Sequence, residues 1–368
     1  MSVRVEKIPF QRGAGGRLIL SRSKSLNALT LEMFNQLRQV LEEWEKDPEI
    51  KLVILESDSD KAFCAGGDVK SVVQESLKEE TSFSQNFFLA EYGLDYYLHC
   101  YSKPILCWAH GITMGGGIGL FAGCSHKVAT ENSVFAMPEV SIGFFPDVGG
   151  GYFLNRLPQG VGLFLGLTGA HFYGGDAVAM GMADFLIKNE DRQKVVDCLA
   201  QVKWAEAKGE NLRRLTKALH SFRLHEIQSN LALPLTEVGQ QMALLNTFEQ
   251  VHQFLLEADL GSSSLKKACR AYRGSSPFVA RVIFEHIKRC KGLSLAEVFA
   301  LEWDLAIRFC HEPEFYEGVR ALLIDKDQSP RWRVRAVGEI SQQEVDKILS
   351  PLEHNLLEPQ LTQRRSTT

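Results

Sequence analysis

"PILCWAHGITMGGGIGL", residues 104–120, reads in three phases. Pro104 opens a short apolar run with no polar alternation, the pattern of a strand buried on both faces. His110-Gly111 interrupts it. Glycines 115–117 then permit backbone conformations that other residues avoid, and an apolar stretch of helical character follows. Strand, glycine turn and helix in that order predict an α/β fold. Working outward, "RLILSR" (17–22) and "KLVILES" (51–57) read as further strands. Between them, "LTLEMFNQLRQVLEEWEKD" places Met33, Phe34, Leu37, Val40, Leu41 and Trp44 on one helical face, with Thr30 as its N-cap. Strands separated by helices form βαβ units, so the sheet is expected to be mostly parallel and buried.

The pattern changes after about residue 190 to helical periodicity with charged faces. Ser276-Pro277 is an N-cap followed by an N1 proline. Ser294 with Glu297 is a capping-box signature. The chain therefore divides, on this reading, into a core domain over 1–200 that carries the site and a helical region over 201–368. The tail beyond Pro351 reads as frayed.

The 368 residues exceed one average domain, and 45% hydrophobic with 23% charged is ordinary globular composition. A net charge of −4 argues against a nucleic-acid backbone or an anionic membrane as partner. The stretch nearest to a membrane span, "GITMGGGIGLFAGCS", is too short and too rich in glycine. "MSVRVEKIPFQ" lacks the apolar segment of a secretory signal. Cysteines 64, 100, 107, 124, 198, 269, 290 and 310 are scattered and include no C-x-x-C pair, which fits reduced thiols. A bacterial cytoplasm is the expected setting, with the mitochondrial matrix as the alternative.

Three glycine-rich turns punctuate the first half: "AFCAGGDVK" (62–70), "HGITMGGGIGL" (110–120) and "FPDVGGG" (145–151). The first two each follow a strand and precede a helix, where bare N–H groups favour developing negative charge. Two such turns together can build an oxyanion hole. Taken singly, either is better explained as a tight strand-to-helix connection; two such loops together with a carboxylate pair favour function. "FAMPEVSIGFFPDVGGG" (135–151) adds two carboxylates, Glu139 and Asp147, to an otherwise apolar run. Carboxylates are rarely buried without a reason, because lost hydration disfavours the ionised form. No G-x-S-x-G elbow and no H-E-x-x-H cluster is present, so neither a serine triad nor a metal is expected. His110 reads as structural. Gly117–Ala122 also matches the G-x-G-x-x-A dinucleotide fingerprint, with Glu139 as the ribose acid, but that leaves "AFCAGGD" unexplained.

Over roughly residues 3–190 the chain resembles the crotonase, or enoyl-CoA hydratase/isomerase, superfamily. The matching segments are "SLNALT", "KAFCAGGDVK", "HGITMGGGIGL" and "FAMPEVSIGFFPDVGGGYFLNRL". "GITMGGG", "GFFPDVGGGYFL" and the late "EGVRALLIDKDQSPRW" (317–332) are most similar to its 3-hydroxyisobutyryl-CoA hydrolase branch. The resemblance implies a crotonase-like ββα superhelix core followed by the helical C-terminal region. It also implies an oxyanion hole from the amides of Gly67 and Gly116, with Glu139 and Asp147 as catalytic carboxylates. Glu91, in "FFLAEYGLDYY", would contact substrate together with Gly116, Glu139 and Asp147, although an exposed acid on an amphipathic helix explains Glu91 equally well. Hydratases of the family carry a second glutamate where this chain has Gly119, and here Asp147 stands where they have a small residue. That departure points to thioester hydrolysis of a 3-hydroxyacyl-CoA over hydration of a double bond. The remaining alternatives are an enoyl-CoA hydratase or isomerase and a non-catalytic CoA-binding subunit. No cofactor is expected, CoA being part of the substrate, and Lys24 and Lys326 are candidates for its phosphates. Family members often assemble as trimers or hexamers; a homo-oligomer is left open, since the helical half could block or replace those interfaces.

Overall fold

The computed structural model describes residues 2–77, 81–224 and 229–365. A six-stranded sheet runs in the order β1-β2-β3-β5-β7-β10, formed by β1 Val3–Pro9, β2 Ala14–Leu20, β3 Ile50–Ser57, β5 Ile105–Ala109, β7 His126–Ala129 and β10 Phe185–Leu186. A smaller sheet takes β4 Ala62–Cys64, β6 Ile112–Met114, β8 Val134–Ala136 and β9 Phe172–Tyr173 in that order. β1 and β2 pair antiparallel as a hairpin at the edge, and every other pairing in the large sheet is parallel. The hairpin partner β1 was not evident in the sequence, since its outward residues are charged.

All eight residues of β3 are buried, which is why the segment reads as a continuous apolar run. Alternation then assigns its two faces. Leu52 and Ile54 join Leu106, Trp108, Val128 and Leu199 in one core layer. Val53 and Leu55 turn to the opposite face, towards Leu37 and Leu41 of the helix Leu31–Lys46. That helix starts as its sequence predicts, with Thr30 Oγ1 accepting from Met33 N. Met33, Phe34, Leu37, Leu41 and Trp44 are buried; Val40 remains half-buried at the stripe's margin.

The chain divides into two compact units whose segments interleave. One comprises Met1–Gly67, Leu94–Phe135 and Phe172–Asn230, the other Asp68–Gly93, Ala136–His171 and Leu231–Thr368. The switch to helices near residue 190 is present, but these units do not coincide with a division at residue 200. In the second unit, Ser276 Oγ caps Pro277–Cys290 by accepting from Val279 N, and Ser294 with Glu297 forms the capping box of Leu295–Phe309. The tail beyond Pro351 corrects the expectation of fraying. It folds into the helix Glu358–Arg365, and Leu357 and Leu361 beside and within it are buried. Two apolar side chains spaced four residues apart suffice to dock a last helical turn. No helix among the described residues is long and apolar enough to cross a membrane.

Candidate active site

In the first unit, the two glycine turns meet. β4 ends at Cys64, and Gly66 follows with φ 108°, a region open to glycine but not to side chains. The Gly66 carbonyl accepts from Leu29 N at 2.8 Å, tying the turn to the segment before the first helix. A β-carbon at Gly66 would lie 3.6 Å from the Gly116 nitrogen, and one at Gly117 only 2.4 Å from the Cys64 carbonyl oxygen. Glycine is required at 117 because one backbone lies directly on another, and at 66 because of its φ. Gly115, with φ 50°, caps the helix Gly116–Gly123, so Gly116 occupies the first helical position. An N–H at that position has no acceptor within its own helix and carries the positive end of the dipole. Gly67 bridges to Leu29 at the end of the neighbouring turn. His110 is buried, with Nε2 bonded to the Ser59 carbonyl and Nδ1 without a hydrogen-bond partner among the described residues. Lys24 is exposed.

In the second unit, the carboxylates sit on a tightly folded segment. Glu139 opens the 3-10 turn Glu139–Ile142, and its carbonyl accepts from Phe144 N at 3.0 Å. Gly143 closes that turn in the left-handed region, where a β-carbon would stand 2.1 Å from the Glu314 carbonyl oxygen. Phe144 and Phe145 then enter an aromatic cluster with Phe88, Phe309 and Phe315, at centroid separations of 4.7–5.7 Å. This explains the apolar run around two acids: the aromatic rings anchor the backbone that carries them.

Glu139 is 5% exposed and Asp147 6%. Glu139 Oε2 is buried with no hydrogen-bond partner among the described residues. Burial, and then the negative charge of Asp147, push the Glu139 carboxyl well above the usual range. Burial likewise raises Asp147, to about 7; the hydrogen bond from Tyr92 opposes the rise and the charge of Glu302 adds to it. The two acids thus titrate as interacting neighbours. Tyr92 Oη donates to Asp147 Oδ2 at 2.7 Å, and burial keeps this phenol protonated far above neutral pH. Glu91 is 3% exposed, which rules out the exposed-acid alternative. Lys326 is exposed, with φ 59°.

Three members of this arrangement were not singled out from the sequence: Tyr92, Glu302 and His286. Tyr92 follows Glu91 on the helix Thr81–His99, and nothing in the local sequence sets it apart from Tyr96 and Tyr97. Glu302 is fully buried, accepting from Gly149 N at 2.7 Å and Gly151 N at 2.8 Å. His286 Nε2 lies 3.4 Å from Glu302 Oε1. Burial disfavours its charged form, but Cys290 and Glu302 beside it prevail and raise its pKa to about 10. A glutamate and a histidine on helices carry no local signal: the amide partners of Glu302 lie 153 and 151 residues away, and His286 gains its role only through Glu302. No cluster of three or more metal-ligating side chains occurs among the described residues.

The family model for enoyl-CoA hydratase/isomerase matches residues 15–349. The chain belongs to the enoyl-CoA hydratase/isomerase family. Within the family it is 38% identical to "3-hydroxyisobutyryl-CoA hydrolase, mitochondrial" of Danio rerio, over 93% of this chain and 88% of that protein. The protein of the same name from Homo sapiens is 35% identical over 91% and 86%. Among solved structures, an enoyl-CoA hydratase from Rhodobacter sphaeroides aligns with TM-score 0.83 at 32% identity, covering 98% of this chain and 99% of that one. A carnitinyl-CoA dehydratase from Mycobacterium thermoresistibile aligns with TM-score 0.84 at 29% identity, covering 97% and 98%. The fold is thus that of the crotonases, with a helical C-terminal region.

Proposed function

We propose that the protein hydrolyses a 3-hydroxyacyl-CoA thioester, 3-hydroxyisobutyryl-CoA foremost, to the free acid and CoA. The observation that carries this reading is the buried Asp147, held by Tyr92 and electrostatically linked to Glu139, in a chain with Gly119 at the hydratases' second glutamate position. Hydration of a double bond by two carboxylates lacks one of them here. The names of the curated relatives support the hydrolase and its place in valine breakdown. Those names, which end in "mitochondrial", also favour a mitochondrial setting over a bacterial cytoplasm.

In this reading, Glu139 as carboxylate takes a proton from the attacking water, or itself attacks the carbonyl. The amides of Gly67 and Gly116 take the developing oxyanion, an interaction worth about 3 kcal/mol per donor. With Glu139 as base, the C–S bond then breaks and the departing thiolate receives the proton that the carboxyl took from water. With Glu139 as nucleophile, the thiolate leaves and takes its proton from solvent, and water then cleaves the acyl-glutamyl anhydride to release the free acid and restore the carboxylate. A carboxyl whose pKa is raised by burial and by a neighbouring negative charge is a stronger base than an ordinary glutamate, which suits it to taking a proton from water. Asp147 accepts a hydrogen bond from the 3-hydroxyl, and Glu91 contacts the substrate.

Free-thiol release from a panel of acyl-CoA and enoyl-CoA esters tests the reading. Release from hydroxyacyl esters supports it. Loss of the enoyl absorbance without thiol release would establish a hydratase, the activity for which the Rhodobacter sphaeroides relative is named. Binding without turnover would establish a non-catalytic subunit.

A further inference from the structure

We infer that Glu302 and His286 are positioning residues for Asp147, holding the 147–151 turn in the one conformation that aims its carboxylate. The inference rests on the hydrolase reading above and adds what sets the acid in place.

The backbone just past Asp147 is strained. Val148 has φ 54°, inside the left-handed region that β-branched residues avoid, and its side chain is fully buried. Such a conformation persists only where the surroundings over-determine it. Glu302 supplies that constraint. Its Oε2 accepts from Gly149 N at 2.7 Å and its Oε1 from Gly151 N at 2.8 Å. The amide between them, Gly150 N, bonds back to the Asp147 carbonyl at 2.7 Å. Three successive N–H groups after the strained residue are therefore each fixed.

The chemistry demands a carboxylate. Two diverging amides need two acceptor oxygens on one planar group, which Glu provides and Gln does not. A glutamine would satisfy one amide and confront the other donor to donor. A carboxylate that is fully buried needs compensation, and the two amides are joined by the His286 ring 3.4 Å away. The same ring lies edge-on to Phe145 at 5.2 Å between centroids. His286 thus touches the residue two before Asp147 and the clamp on the residues after it. Gly151 must be glycine because a β-carbon there would stand 2.5 Å from Cys290 Sγ and 3.1 Å from His286 Nε2. The clamp holds Asp147 through the backbone, and the charges of Glu302 and His286 also act on its carboxyl in opposite senses, so its signature is substrate discrimination and not only stability.

The test measures kcat/KM by thiol release for 3-hydroxyisobutyryl-CoA and for isobutyryl-CoA, which lacks the hydroxyl. The proteins compared are wild type, Glu302→Gln, Asp147→Asn and the double variant. Glu302→Gln should lose about 10-fold or more on the hydroxy ester and far less on the other, since small misplacement of a substrate-contacting group is costly. In the Asp147→Asn background the same change should leave the ratio between the esters unaltered. Equal losses on both esters, or a ratio change that persists without the Asp147 carboxylate, would overturn the positioning role alone. An unchanged ratio in Asp147→Asn by itself would overturn hydroxyl recognition and the inference with it. His286→Phe keeps the aromatic packing on Phe145 but removes the donor to Glu302, and it serves if Glu302→Gln does not fold. It should show the same selective loss at a few-fold, and equal losses on both esters would again overturn the role.

Discussion

Replacing Tyr92 by phenylalanine removes one hydroxyl and leaves the ring packed as before, 5.5 Å from Phe88 and 6.1 Å from Phe299 between centroids. The hydroxyl donates to Asp147 Oδ2 at 2.7 Å inside the protein, and it is what opposes the rise of the Asp147 pKa caused by burial. A hydrogen bond to a charged acceptor contributes about 1.5–3 kcal/mol, and each pKa unit corresponds to about 1.4 kcal/mol. Losing it should therefore raise the ionisation of Asp147 by about 1–2 units from its present value near 7. The groups that act on Asp147 otherwise, Glu302, His286 and the interacting Glu139, are untouched by the substitution. At pH 7 the ionised fraction would drop from about one half to roughly 1–10%. kcat/KM for 3-hydroxyisobutyryl-CoA should then fall by about 5- to 50-fold at pH 7 and recover most of that loss by pH 9. The assay is thiol release across pH 5–9.5 in both proteins. An acid limb at the same pH as wild type, with activity uniformly reduced, would refute the reasoning, as would a shift to lower pH.

Three further outcomes are expected. Glu139→Gln should lower kcat by about 10²–10⁴-fold with CoA-ester binding little changed, since a catalytic base is lost and its shape kept; near-normal turnover would remove Glu139 from the mechanism. Asp147→Asn should flatten the pH dependence of stability. A carboxyl raised from 3.8 to about 7 binds its proton more tightly in the folded state, so folding weakens as pH rises through that window, by up to about 4 kcal/mol. Urea unfolding at pH 4.5 and 7.5 should show the smaller slope in the variant, and equal slopes would contradict the assignment. Leu357→Ala should destabilise the protein by about 2–5 kcal/mol in the same unfolding assay, because the side chain is fully buried beside the final helix; a change within 0.5 kcal/mol, roughly that of a surface site, would mean the tail is undocked.

What could be read from the sequence follows the range of the interactions. Thr30, Ser276 and Ser294 cap their helices through contacts within three residues, so their roles are visible in short windows. The strand-turn-helix units and the glycine turns are equally visible, because glycine is favoured where φ is positive, as at Gly66, or where another backbone comes close, as at Gly117. Glu139 and Asp147 stood out because charge is anomalous among phenylalanines. Tyr92, Glu302 and His286 did not, since each is an ordinary residue for a helix and acquires meaning only from its remote partner. The buried state of Glu91 was undecidable for the same reason: helical periodicity assigns a face but not what covers it. The tail failed differently, because Leu357 and Leu361 are too few for a periodic signal although enough to dock a turn.

The interleaving of the compact units also has a consequence for synthesis. The unit that holds Asp147 needs Asp68–Gly93 and Ala136–His171 together with Leu231–Thr368, which leaves the ribosome last. At ~5–20 residues per second, the segment bearing both carboxylates waits several seconds or more for the helix that contains Glu302. Until then, Phe144 and Phe145 lack Phe309 and Phe315, and the strained turn at Val148 lacks its clamp. A nascent or prematurely ended chain therefore exposes an aromatic surface for chaperones to hold, and it carries the acids without the frame that orients them. Synthesis of the chain through Leu295–Phe309 and Phe315 is what lets the turn be clamped and the aromatic cluster close.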